Sequence, residues 1–136
     1  MRDRLVAEGY EQPFGTSDDE IRRNLNLSGK CADFVGYHPE RGWWIIAESK
    51  GSNFWSADIQ LANTLTGLLV QEPDASTKIE LYIYTNSSQF RRLLEGSGGV
   101  GGYYRQGNSL GFKPDGVTFQ PAQIMGYPVQ IMKEGN

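Results

Sequence analysis

The chain has 136 residues, 38% hydrophobic and 21% charged, with a formal net charge of −3. That length supports one domain with a core that needs no staples, and the single cysteine, Cys31, excludes an intrachain disulfide framework and suits a reducing compartment. The acidic balance argues against a stoichiometric coat on nucleic acid, and no run approaches the roughly 18 to 20 apolar residues of a membrane span.

The first ten residues, "MRDRLVAEGY", carry charge where a secretory leader has an apolar stretch, so a cytoplasmic protein is expected. Residues 2 to 9 read as a short helix with Leu5 and Val6 inward, stopped by Gly9. "TSDDEIRRNL" holds a capping box, Ser17 with Glu20 three later, and Asp18 and Asp19 suit a helix N-terminus. "CADFVGY", 31 to 37, alternates as a strand, "HPERG" supplies a tight turn, and "WWIIAESK", 43 to 50, returns as the second arm of a hairpin.

In "SADIQLANTLTGLLVQ" the residues Leu61, Ala62, Leu65, Leu68 and Leu69 recur at helical spacing. Ser56 is the expected N-cap, and Pro73 prevents continuation. "IELYIYT", 79 to 85, alternates as a third strand. "SSQFRRLLEG" reads as a short helix with Phe90, Leu93 and Leu94 inward. Edge strands are expected around Val117 to Phe119 and Val129 to Met132. The expected class is α/β, a mixed sheet flanked by helices in α-β-β-α-β order, in one domain spanning residues 1–136.

Alternation puts Trp44, Ile46, Glu48 and Lys50 on one face of their strand. A turn centred between Glu40 and Arg41 then sets Asp33 opposite Glu48, with both side chains on the same face. Facing residues lie about 4.5 to 5.5 Å apart, so the two carboxylates repel unless a cation lies between them. Mg²⁺ suits such a pair, because it takes oxygen ligands and keeps several waters. Lys50 reaches an attacking water or a phosphate oxygen, and Ser49 offers its backbone carbonyl. A structural ion pair of Lys50 with Glu48 or Asp33 explains the same spacing equally well.

Asp33, fourteen intervening residues and "ESK" at 48–50, followed by a helix with Gln60 near its start, resemble the PD-(D/E)xK nuclease superfamily. The resemblance covers roughly residues 1 to 86. It implies a restriction-endonuclease-like core and a Mg²⁺-dependent deoxyribonuclease, with Mn²⁺ as a substitute. By resemblance Asp33 and Glu48 are metal ligands, Lys50 orients water or stabilises charge, and Gln60 is a supporting contact. The chain departs from the family in having Ala32 before the aspartate and Thr64 four residues after the glutamine. Glu8 and Glu20 are the candidates for a further acidic ligand, which stays unassigned.

DNA is the expected substrate, and a homodimer or larger homo-oligomer would place two sites on two strands. The alternative is a catalytically inactive nuclease-like domain that binds nucleic acid or serves in assembly. The glycine-rich stretch, 96 to 111, is either a flexible connection or a flap whose Tyr103, Tyr104 and Arg105 contact nucleic acid. His38, at the turn, is expected at the surface and pointing away from Asp33. Trp43, Trp44 and Trp55 read as core or interface residues.

Overall fold

The computed structural model describes residues 1–95 and 98–135. Helices α1 (Arg2–Ala7) and α2 (Asp18–Asn24) precede a hairpin of β1 (Phe34–His38) and β2 (Trp43–Ser49). Helix α3 (Phe54–Gln71) and a 3₁₀ turn at Pro73–Thr77 lead into β3 (Ile79–Thr85) and α4 (Ser87–Glu95). Strands β4 (Tyr104–Gln106), β5 (Ser109–Phe112), β6 (Gln120–Pro121), β7 (Gln123–Ile124) and β8 (Tyr127–Lys133) complete the chain. The protein is therefore mixed α/β, with a mixed sheet of strand order β1-β2-β3-β8-β5-β4 flanked by helices.

The hairpin is antiparallel in the expected register, with Phe34 opposite Ala47 and Tyr37 opposite Trp44. Strands β2, β3 and β8 run parallel. Their carboxyl ends share one rim, the edge at which open α/β sheets carry their ligands. One face, with Val35, Ile46, Leu81, Ile83 and Ile131, packs under α2 and α3 through Ile21, Phe54, Leu61, Leu65 and Leu68. The opposite face, with Phe34, Ile45, Ala47 and Tyr84, is covered by Leu5 and Tyr10. Among the described residues no helix is long and apolar enough to cross a membrane.

Several expectations need correction. Helix α3 begins at Phe54, capped by Asn53 in the left-handed region with its side chain accepting from Ser56 N–H. Ser56 is thus the third residue beyond the cap. Val6 and Leu94 lie outward, 46% and 57% exposed, because each short helix turns only one narrow stripe toward the sheet. Residues 31 to 33 precede β1.

No strand forms at Val117 to Phe119. Asp115 Oδ1 accepts from the N–H groups of Val117 and Thr118, taking the donors a ladder needs. Strand β8 is interior, paired with β3 on one side and β5 on the other. Its alternation of Val129 and Ile131 with Gln130 is common to any strand with one open face, so periodicity alone does not place it.

His38 is buried and on the face away from Asp33. Its Nδ1 accepts from Arg41 N–H at 3.2 Å, so Nε2 carries the proton and donates to the Glu8 carbonyl at 2.9 Å. The side chain ties the hairpin turn to the end of α1. Trp44 enters the core, Trp43 is partly buried and Trp55 stands in solvent, 67% exposed.

Candidate functional site

Strand β2 is apolar because it is interior, and its last residues emerge at the rim. Glu48 is still only 1% exposed there. Asp33, just before β1, faces it from the neighbouring strand. The two are laced together: Asp33 N–H donates to Glu48 Oε1, and Ser49 N–H donates to Asp33 Oδ2, both at 3.0 Å. Each carboxyl thus has one oxygen anchored to the other strand's backbone and a second oxygen without a backbone partner.

Lys50 continues the ladder, its N–H donating to the Tyr84 carbonyl, and its Nζ lies 3.8 Å from Glu48 Oε2. Burial pushes the Glu48 carboxyl up to about 8, helped by a side-chain hydrogen bond with Asp33 and by that residue's negative charge, while the Asp33 N–H works the other way. Lys50 opposes that rise without cancelling it. A buried acid with a second carboxylate beside it favours keeping its proton near neutrality.

Helix α3 holds the segment that leads into Asp33. Asn63 Nδ2 donates to the Lys30 carbonyl at 3.1 Å, and Gln60 Nε2 to the Cys31 carbonyl at 3.4 Å. Ala32 N–H donates to Thr64 Oγ1 at 2.8 Å. Gln60 therefore touches the backbone beside the site, and its Oε1 is buried without a hydrogen-bond partner among the described residues. Thr64, at the position where the resemblance breaks down, is a fully buried tether for this segment.

Arg2 also bears on the site, its Nη2 donating to the Asp33 carbonyl at 2.5 Å. Neither Arg2 nor Thr64 was anticipated as a support. Only the Gln60-to-Thr64 spacing, one helical turn, hinted at the second.

The other candidates lie elsewhere. Ser49 Oγ turns to the opposite face and donates to Glu134 Oε2 at 2.9 Å, which leaves its carbonyl as the proposed donor. Glu20 Oε1 serves the capping box, accepting from Thr16 and Ser17. Glu8 is 3.9 Å from Arg4 on the α1 side. Cys31 is buried and donates to the Asp18 carbonyl, and burial raises its thiol pKa, which disfavours the thiolate.

Part of the glycine-rich expectation, at residues 96 and 97, lies outside the described residues. The remainder contains the β4–β5 hairpin. Tyr103 is a core residue rather than a surface platform, its ring against Phe54 and Phe112 and its hydroxyl donating to Asp58 Oδ2 at 2.6 Å. Arg105 lies over the Phe90 ring and donates to the carbonyls of Phe90 and Gly107. Tyr104 lies under the Lys113 ammonium, 4.7 Å away. Tyr104 and Arg105 belong to β4, the edge strand opposite β1, and Tyr103 immediately precedes it.

No family model, curated protein or solved structure matches the chain.

Proposed function

We propose that this protein is a metal-dependent endonuclease hydrolysing DNA phosphodiesters, built on a restriction-endonuclease-like core. The observation that carries the reading is the meeting of Asp33, Glu48 and Lys50 at one rim of the sheet. Glu48 is buried there at the end of an apolar strand with a raised pKa and a second acid beside it, a combination that clusters at functional sites.

The donor set fits a small hard cation sparsely. Asp33, Glu48 and the Ser49 carbonyl are the proposed ligands. Among the described residues no group of three or more His, Cys, Asp and Glu side chains assembles into a metal cluster. Mg²⁺ matches such a set because it retains water and takes phosphate oxygens. When bound it supplies Lewis-acid polarisation of phosphoryl oxygen and activates water.

The chain's own groups then have distinct tasks. The backbone bonds from Asp33 N–H and Ser49 N–H hold the two carboxyls in fixed orientation. Lys50, 26% exposed, brings a positive charge from the strand's end to a phosphate lying at the rim, where it offsets charge that grows in the transition state. Arg22 and Lys30 line a 290 Å³ cavity against the segment entering Asp33, with Arg22 also paired to Asp19 at 2.6 Å.

The second reading, an inactive module, draws support from the 3.8 Å contact of Lys50 with Glu48. A cleavage screen over duplex, single-stranded and branched DNA in Mg²⁺, with Glu48→Ala as control, separates the two. Metal-dependent cleavage that vanishes in Glu48→Ala supports the nuclease. Absence of cleavage on all three, together with no Mn²⁺ uptake by calorimetry, favours the module.

A further inference from the structure

Helix α3 is 18 residues long, and its only charged residue is Asp58, bound to Tyr103. Its inner arc is filled by Ala57, Leu61, Thr64, Leu65 and Leu68. The outer arc is the unusual part. Trp55, Ile59, Thr66 and Val70 point to solvent, with Ala62 and Asn63 between them at its middle. Trp55 is 67%, Ile59 41% and Val70 72% exposed, and Met125, 59% exposed, flanks the same face beside Thr66. A solvent-facing helix ordinarily carries charge on this arc, and an uncharged stripe with Trp55, Ile59 and Val70 exposed marks a contact surface.

We infer that this face pairs with the same face of a second copy of the chain, α3 against α3 in antiparallel orientation about a two-fold axis. The order of residues supports that occupant over others. The stripe is symmetric about its midpoint between Ala62 and Asn63. An antiparallel partner therefore sets Trp55 against the partner's Val70, and Ile59 against the partner's Thr66. Such a self-matching surface is what an isologous dimer requires.

Sizes follow the same plan. Helices packed ridge into groove touch at their crossing point and diverge beyond it. The smallest side chain, Ala62, is at the crossing, and the largest, Trp55, is near one end. At the other end, where the partner's Trp55 would arrive, a 270 Å³ cavity lies beside Val70, with Leu25, Leu27 and Gly67 as its apolar wall and Asn26, Thr66 and Gln71 as its polar one. Gly67 leaves room for that loop, since a Cβ there would come within 2.8 Å of Leu27 Cδ2. An indole set against its apolar wall is removed from water, and the polar wall offers acceptors to the indole N–H.

The stripe is roughly 22 Å long, from a rise of about 1.5 Å per residue. An interface of that extent sits at the small end of stable assemblies, about 1,200 Å² in total. A dimer that dissociates on dilution is the expected behaviour. The pairing does not depend on the chemistry at Asp33 and Glu48, so metal-free protein suffices to test it.

Sedimentation velocity over a concentration series of the full chain is the test, with circular dichroism melting to confirm that each variant folds. The native chain should move from monomer to dimer with rising concentration. Ile59→Lys alone and Thr66→Glu alone should each weaken dimerisation at least tenfold, by placing a lone charge in the contact. The two substitutions in one chain should restore it, because the antiparallel pairing sets each new cation against the partner's new anion. A native chain that stays monomeric throughout overturns the proposal. Single variants that dimerise as well as the parent, or a double variant no better than either single one, also overturn it.

Discussion

Asp33 and Glu48 hold one another across the hairpin: the Asp33 N–H donates to the Glu48 carboxyl, and the Asp33 carboxyl accepts from the residue after Glu48. Each acid is therefore oriented by the strand that carries the other. The arrangement holds two carboxyls side by side although burial and the neighbouring Asp33 raise the pKa of Glu48.

Stability should depend on pH through Glu48. Its carboxyl has an ordinary value of 4.5 and is raised to about 8 in the fold, so the folded state binds the extra proton between those values. This stabilising contribution is fully present below pH 4.5 and is lost as pH rises through about 8, amounting to a few kcal/mol. Glu48→Gln keeps the acceptor for Asp33 N–H and removes the titration. Its melting midpoint should exceed the parent's at alkaline pH, and the parent's decline over this window should flatten. Parallel profiles for the two proteins would show that Glu48 is ionised throughout.

Divalent metal should bind with release of a proton. Below about pH 8 the Glu48 carboxyl must lose its proton to become a ligand, so Mn²⁺ affinity should climb with pH until it levels off near that value. Calorimetry in two buffers of different ionisation enthalpy reads the proton directly. Asp33→Asn and Glu48→Gln should each abolish the heat. Binding that is insensitive to pH and survives both changes would place the metal elsewhere.

Lys50→Met separates catalysis from structure. Lys50 holds Glu48 only partly against its upward shift, so without the lysine Glu48 simply keeps its proton more tightly. The melting midpoint near neutrality should move little. The cleavage rate should fall by orders of magnitude, with DNA affinity in Ca²⁺ nearly unchanged. A structural ion pair would behave in the opposite way, with a loss of about 3 to 5 kcal/mol on removing one partner.

Tyr103→Phe should destabilise the protein and leave nucleic-acid affinity alone. The hydroxyl is the partner of Asp58 Oδ2, and Asp58 Oδ1 is already buried without one. Removing the donor strands the carboxyl at a cost of about 1 to 3 kcal/mol. Denaturant melts should show the loss. A weaker complex with DNA at unchanged stability would instead mean that the ring is reached by substrate.

What the sequence determined by itself is local: the capping box at Ser17 and Glu20, the hairpin register that faces Asp33 with Glu48, the buried arc of α3, and the third strand. Each follows from a side-chain period or a cap within a few residues, where backbone geometry leaves little choice. Tertiary structure alone decided that β8 lies inside the sheet, since strand order depends on pairing between distant segments. It also turned His38 and Tyr103 from expected surface groups into buried ones, because their partners, the Glu8 carbonyl and Asp58, come from remote elements. Gln60 was expected as a support from the resemblance, whereas the support of this segment by Arg2, Asn63 and Thr64 was hidden for the same reason: these side chains reach backbone groups brought near only when α1 and α3 close on the hairpin.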